Sequence, residues 1–265
     1  MAITTIDGVV GGLATGQRLD FYKASATGEG AGTWHSLLAL AGMPIAGSTP
    51  LTGTGAICVD TTSGMFTGIT WSNTVYLLQG VVAGATAGKL ILYDRLWADS
   101  GFVANTTALQ SIVSMPAIPR GASSGTGVEI WGEVYGATGA TGSVVTVIYT
   151  NSAGATSRTA TYTQPANALS VGQMVQFFPV EASSGVTSVQ SIRFTTSTGT
   201  AGNLGLTLLR RKAAFPIQLA NAGDIFDFSF LGMPQIDFNA ALCFMLMCST
   251  TSTGIIQGAL TFGNG

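Results

Sequence analysis

Ser143-Val144-Val145-Thr146-Val147-Ile148-Tyr149-Thr150-Asn151-Ser152-Ala153-Gly154-Ala155-Thr156-Ser157-Arg158-Thr159-Ala160-Thr161-Tyr162-Thr163 is nearly all small, β-branched and uncharged. Successive side chains alternate across an extended strand. A period of two places Val145, Val147 and Tyr149 on one face of a first strand. It places Arg158, Ala160 and Tyr162 on one face of a second, with Thr159, Thr161 and Thr163 opposite. Asn151-Ser152-Ala153-Gly154 supplies the turn, because glycine accepts a positive φ. The stretch predicts a β-hairpin, and it holds no acid, histidine or cysteine.

The same pattern extends outward. Strands are predicted over 75–82, 89–97, 128–135, 144–150, 158–163, 174–181, 188–196, 204–211, 223–230, 241–249 and 255–262. Gly, Ser and Thr turns separate them, with no amphipathic helix between. That spacing predicts an all-β chain, a large antiparallel β-sandwich or jelly roll over 55–265. The segment Met115-Pro116-Ala117-Ile118-Pro119-Arg120-Gly121 reads as a stiff linker, with a possible sub-boundary near 116–125. In the strand over 223–230, Phe226, Phe228 and Phe230 form an inward face, with Asp227 and Ser229 opposite. The first residues look different. Gly, Ala, Ser and Thr dominate 8–16 and 24–33, and Gly42, Pro44 and Pro50 punctuate the next stretch. Residues 1–54 read as an extended Gly-rich arm that gains order by docking on a neighbouring subunit. Within it, residues 34–40 read as a short helical turn or docking segment.

Composition narrows the function. The chain has 265 residues, 12 acidic and 10 basic, and a formal net charge of −2. Charged residues are 8% of the total, against roughly 25% in an average domain. The densest apolar run, Ala240 to Cys248, is far short of the ~20 residues of a membrane-spanning helix. It suits a fully buried strand. The strand pattern and the large apolar residues argue against a disordered chain. Few charges leave little to keep an isolated monomer soluble, which points to a surface hidden in an assembly. No basic footprint for nucleic acid is present, and Arg210-Arg211-Lys212 reads as a solvated strand end. Cys58, Cys243 and Cys248 lack metal spacing, and the last two read as small hydrophobes. The opening residues carry no secretory-signal pattern, so synthesis in a cytoplasm is expected.

Catalytic groups are sparse. His35, beside Trp34, is the single histidine, and any Ser-His-acid triad would have to use it. It reads instead as a packed or interfacial residue. One histidine and scattered cysteines do not build an ordinary zinc site. Asp94 falls on the apolar face of Leu90, Leu92 and Leu96, so it needs a bulge, backbone donors or a cation. Glu129 and Glu133 share a strand face with Trp131 and Tyr135, which resembles a sugar-binding surface. Four residues of strand span about 13 Å, beyond the ~5–9.5 Å of a glycosidase carboxylate pair. No catalytic residue, metal ligand or cofactor is expected. The expected interaction residues are Trp34, His35, Asp94, Arg95, Glu129, Trp131 and Glu133.

The stretches Leu92-Tyr93-Asp94-Arg95-Leu96-Trp97, Val128-Glu129-Ile130-Trp131-Gly132-Glu133-Val134-Tyr135, Ser197-Thr198-Gly199-Thr200-Ala201-Gly202-Asn203 and Ser249-Thr250-Thr251-Ser252-Thr253-Gly254-Ile255 resemble a group of tailed-bacteriophage virion structural proteins. The resemblance runs over most of the chain and carries no residue roles. It implies a virion component assembled in a bacterial cytoplasm, present in many copies as a symmetric homo-oligomer. On this reading the chain is a non-enzymatic capsid decoration or cement protein. It would form a homo-oligomer, expected to be a trimer, and bind the major capsid protein or other virion proteins. Neither nucleic acid nor membrane is an expected partner. The alternative is a tail or receptor-binding component whose sandwich loops, or whose Glu129/Trp131/Glu133/Tyr135 face, contact host carbohydrate.

Overall fold

The computed structural model describes residues 3–27, 29–70, 74–120, 123–182 and 185–265. Gly28 of the Gly-rich stretch and Gly121 at the end of the proline-containing linker lie outside these residues. The order is α1 (Ile6–Thr15), β1 (Gln17–Lys23), β2 (Trp34–Ser36), β3 (Gly42–Met43), β4 (Ala56–Ile57), β5 (Val75–Gly84), β6 (Gly88–Phe102), β7 (Gln110–Ser111), β8 (Val128–Gly136) and β9 (Ser143–Asn151). Then come β10 (Arg158–Gln164), β11 (Gln173–Pro179), β12 (Val186–Phe194), β13 (Asn203–Ile217), β14 (Gly223–Phe226), α2 (Phe228–Leu231), β15 (Gln235–Ile236), β16 (Leu242–Cys248) and β17 (Ile256–Asn264). The protein is all-β and its sheets are antiparallel, of sandwich or jelly-roll type.

The hairpin over 143–163 forms with Arg158 opposite Tyr149 and Ala160 opposite Val147. Val145, Val147, Tyr149 and Ala160 are buried. Asn151 Oδ1 accepts from the amides of Ala153 (3.0 Å) and Ala155 (2.9 Å), and Gly154 sits at φ 79°. The asparagine side chain thus substitutes for backbone in closing the turn.

The chain divides into two units. One holds residues 1–48, 59–94 and 211–265; the other holds 49–58 and 95–210. The 116–125 stretch lies inside the second unit, so no division falls there. Strands β6 and β13 each begin in one unit and end in the other.

In the first unit, one sheet runs β14–β5–β17–β1–β3, with β15 also on β5. A second group pairs β2 with β16 and β16 with the first half of β6. Their facing apolar rows make the core: Phe21, Leu77 and Phe262 from one sheet, Leu90, Leu92, Phe244 and Leu246 from the other. Phe21 and Phe244 stack at 4.7 Å between centroids, within the range of favourable aromatic pairs. The run 240–248 is, as expected, a buried strand, with Cys243 and Cys248 packed as free thiols.

The segment expected as an extended arm is not one. Residues 6–15 are helical, β1 lies between β17 and β3, and both belong to the first unit. Thr5 caps the helix by accepting from the Gly8 amide at 3.1 Å. Gly12 serves packing: a Cβ there would stand 2.9 Å from Leu78 Cδ1. Trp34–Ser36 is a strand on β16 and not a helical turn. The strand expected over 223–230 stops at Phe226, because Asp227 caps α2 through the Ser229 and Phe230 amides. Phe230 is left exposed.

In the second unit the strand order is β6–β13–β8–β11–β10–β9–β12–β7. Its own core gathers Val128, Ile130 and Val134 of β8, Leu204, Leu206 and Leu208 of β13, and the inward residues of β9 and β12. The other face of β8 carries the polar residues of interest.

Candidate functional site

Two buried polar clusters, one in each unit, contain most of the expected interaction residues. In the second unit, the alternation that sends Val128, Ile130 and Val134 inward sends Glu129, Trp131, Glu133 and Tyr135 to the opposite face. Gly205 of β13 lies opposite Glu133 in register. A Cβ there would meet the Tyr135 ring at 2.5 Å, so only glycine lets that ring lie across the strand. Arg95 of β6 completes the group. Its Nη2 stands 2.8 Å from Glu133 Oε2 and donates to Tyr135 Oη at 2.7 Å. Tyr135 in turn donates to Glu133 Oε2 at 2.6 Å. Arg95 is 3% and Glu133 2% exposed. Burial pushes the Tyr135 phenol well above its usual pKa; the Arg95 charge pulls it down and the Glu133 charge pushes it up. The triangle is closed: each charge has its counter-charge and the hydroxyl is used in both directions.

Beside it, Trp131 Nε1 donates to Glu129 Oε2 at 2.7 Å, and Gln176 Nε2 reaches the same oxygen at 3.4 Å. Trp131 is buried and Glu129 half-buried. This corrects the carbohydrate-platform expectation. Sugar platforms need an open aromatic face, and Trp131 is only 2% exposed. Arg120, to which no sequence signal pointed, ties backbone together here. It donates to the carbonyls of Cys58 (2.8 Å) and Arg95 (3.0 Å).

Asp99, also unsignalled in the sequence, is fully buried. Its Oδ1 accepts from the Ser100 amide at 2.7 Å, while Oδ2 has no hydrogen-bond partner among the described residues. Burial raises its pKa, against the pull of the Ser100 and Gly53 amides.

In the first unit, β2 places His35 opposite Leu246 of β16. The preceding turn, with Gly32 at φ 76°, brings Glu29 back over the ring. His35 Nδ1 lies 2.7 Å from Glu29 Oε2, and Nε2 lies 2.7 Å from Thr33 Oγ1. The Glu29 approach is close but off the hydrogen-bonding direction of the ring nitrogen. Thr33 Oγ1 also contacts the Gly30 carbonyl. One hydroxyl proton cannot serve both Gly30 and His35. If it goes to the carbonyl, Nε2 must carry the ring proton. Burial lowers the His35 pKa to about 4, so the imidazole is neutral at neutral pH. Burial and the Glu29 charge push the nearby Cys248 thiol up to about 11. His35 is 1% exposed, which corrects its expected place at a docking surface. Trp34 remains half-buried.

Asp94, of the same unit, is fully buried and accepts from the Ala241 amide at 3.1 Å. It therefore ties the start of β16 to β6. Lys23 is buried too; its ammonium donates to the carbonyls of Leu40 (3.2 Å) and Pro44 (2.8 Å). Burial lowers its pKa to about 8, while the neighbouring Cys243 acts in the raising direction.

These clusters hold structure together and leave no nucleophile beside a base with room for substrate. Gly121-Ala122-Ser123-Ser124-Gly125 has the G-x-S-x-G spacing of a nucleophile elbow, which the reading of the sequence overlooked. Its first two residues lie outside the described ones, and the chain after it turns into β8 and not into a helix. An elbow needs that helix. Among the described residues no group of three His, Cys, Asp or Glu side chains is placed to hold a metal ion. Among them, too, no helix is long and apolar enough to cross a membrane.

No protein-family model matches the chain, and no curated protein matches it. Among solved structures it is similar to that of the infectious bursal disease virus Gx strain, at 10% identity over 93% of this chain and 80% of that one, with a TM-score of 0.21. It is also similar to the infectious bursal disease virus VP2 subviral particle, at 9% identity over 100% and 83%, with a TM-score of 0.22. TM-scores this low do not establish a shared fold, and nothing about the role of this chain follows from them.

Proposed function

We propose that the chain is a non-enzymatic structural protein of a virion, a decoration or cement subunit that binds the outer head surface as a homo-oligomer and stabilises it. The observation that carries the structural part is the inward turn of its charge. Six of its 22 charged side chains, Lys23, Glu29, Asp94, Arg95, Asp99 and Glu133, are buried. The surface is left poor in charge, with apolar side chains such as Ile6, Ile45, Leu51 and Ile225 at about 70% exposure or more. Such a surface suits association better than an isolated soluble life. The virion part is supported by the resemblance of four stretches, at 92–97, 128–135, 197–203 and 249–255, to phage structural proteins. Repetition then makes weak contacts sufficient, since many copies bind together. With Trp131 buried, the carbohydrate-reading alternative rests on the sandwich loops.

The test is immunogold electron microscopy of intact particles with antibody against residues 128–265. Gold spread over heads supports decoration, and heads stripped of the protein should then break at lower temperature. Gold confined to tails overturns the decoration assignment. Absence from every particle, with the protein present in the lysate, overturns the virion reading altogether.

A further inference from the structure

Strand β1 is paired along its whole length on one side and almost bare on the other. All seven residues from Gln17 to Lys23 pair with β17. On the opposite side only Tyr22 and Lys23 meet β3. No strand covers Gln17–Phe21 on that side among the described residues. The Ala24 amide donates to the Ala41 carbonyl on the β3 side. Backbone groups alternate in direction along a strand. The amides and carbonyls of Arg18 and Asp20 therefore face the open edge. β3 bounds the opening at one end, and the Thr70 amide, which donates to Gln17 Oε1 at 2.7 Å, bounds it at the other. A cleft of about 300 Å³ runs along it, lined by Arg18, Leu19, Asp20, Met43, Pro44 and Phe66.

Open edges are ordinarily guarded by charge that repels a second strand. This edge is guarded differently. Arg18 and Asp20 are 65% and 63% exposed, stand on one face, and pair with each other at 2.9 Å. One positive and one negative charge at positions two apart are self-complementary. If a second copy runs antiparallel with Leu19 opposite Leu19, Arg18 of each chain meets Asp20 of the other. Opposite charges directly across an antiparallel pair are favourable, and like charges are not.

We propose that β1 is a twofold docking edge, at which a second copy of this chain adds its own β1 in that register. The Arg18 and Asp20 positions then exchange backbone hydrogen bonds across the axis. Leu19 meets its copy in a non-hydrogen-bonded pair, with Cα atoms about 4.5 Å apart. Exposed Met43 stands next to the opening, as apolar surface to be covered. A five-residue edge makes a weak contact on its own, suited to repetition in an assembly. The contact is isologous, so it is distinct from any threefold contact and does not depend on a virion role.

The test uses the full chain. Sedimentation across a concentration series should show reversible pairing of the wild type. Arg18→Asp creates two acidic residues facing two acidic residues; Asp20→Arg creates the basic counterpart. Each alone should raise the dissociation constant about tenfold or more, with its melting temperature unchanged as evidence of folding. An equimolar mixture of the two variants should restore pairing, because only the mixed dimer is complementary. Leu19→Cys should form a disulfide-linked dimer under mild oxidation, since that geometry lies within disulfide range and the native cysteines are buried. Pairing that survives both reversals overturns the proposal, as does the absence of a Leu19→Cys dimer at high concentration. Binding of a strand from another virion protein, with no self-pairing, overturns the choice of occupant.

Discussion

The Arg95 cluster and the His35 cluster are both polar, both built around a side chain on a β-strand and both largely buried. They differ in how charge is balanced. Arg95, Glu133 and Tyr135 form a ring in which a permanent cation faces a carboxylate at 2.8 Å and a hydroxyl bridges them. Glu29, His35 and Thr33 form a row in which burial holds the imidazole neutral despite a carboxylate at 2.7 Å. The first cluster stands on a cation that does not titrate in the accessible range. The second stands on a proton count that pH can change. Burying polar groups is costly unless they are paired, and the two units limit that cost by different chemistry.

The largest expected effect breaks the first ring. Arg95→Met leaves Glu133 buried without its cation, which should cost about 3–5 kcal/mol. Arg95→Met with Glu133→Leu removes both charges, and should recover most of that loss. Urea unfolding of both variants checks it. A single variant that costs under ~1 kcal/mol would mean that water reaches Glu133, and the contrast with the His35 cluster would fail.

Legibility in the sequence followed local signal. The hairpin over 143–163 was readable because period-two alternation, Thr and Val propensity and a Gly-containing turn all agreed. The apolar run at 240–248 was readable as a buried strand for the same reason. The N-terminal segment was not. Helix α1 carries Gly8, Gly11 and Gly12, which disfavour a helix; tight packing at Gly12 overrides that preference. Strand β1 alternates weakly, and its inward face ends in Lys23, a residue that pattern reading assigns to solvent. At the clusters, Glu133 and Arg95 were legible as unusual residues, but their mutual pairing was not, because they are 38 positions apart in sequence. Glu29 was overlooked as the partner of His35 because it sits in a Gly-rich loop without pattern. Trp131 was mistaken for surface, since alternation separates two faces without saying which is covered.

The second cluster should make the stability of the molecule depend on pH below neutrality. His35 has a folded pKa of about 4, below an unfolded value near 6.5. Its contribution is therefore complete above the unfolded value and is lost as pH falls from about 6.5 toward 4. The full shift corresponds to about 3 kcal/mol at most, and the Glu29 carboxylate, which favours the charged ring, reduces it. Comparing urea midpoints at pH 7 and pH 5 for the wild type and His35→Gln isolates this term. Equal pH slopes in the two proteins would show that His35 is not the sensor. Thr33→Val sharpens the proton assignment. It removes the hydroxyl shared by Gly30 and His35, and should cost about 1–2 kcal/mol at pH 7. It should also change the midpoint of the pH dependence, since Nε2 loses its partner; a loss of stability with no such change would put the critical proton on Nδ1.

The smallest effect separates burial from charge inside a single strand. Glu129 and Glu133 lie on the same face of β8 and each accepts from an aromatic partner, Trp131 at 2.7 Å and Tyr135 at 2.6 Å. They differ in exposure: Glu133 is buried and Glu129 half-buried. Glu129→Gln keeps an oxygen for Trp131 and leaves water at the other side, so it should cost less than about 1 kcal/mol. Glu133→Gln keeps the same shape but leaves Arg95 buried beside a neutral amide, and should cost several times more. Thermal unfolding of the two variants side by side decides the point. If they fall equally, the common charge governs this face. If they part as expected, it is the exclusion of water around Arg95, and not the carboxylate itself, that makes the second unit depend on its ring.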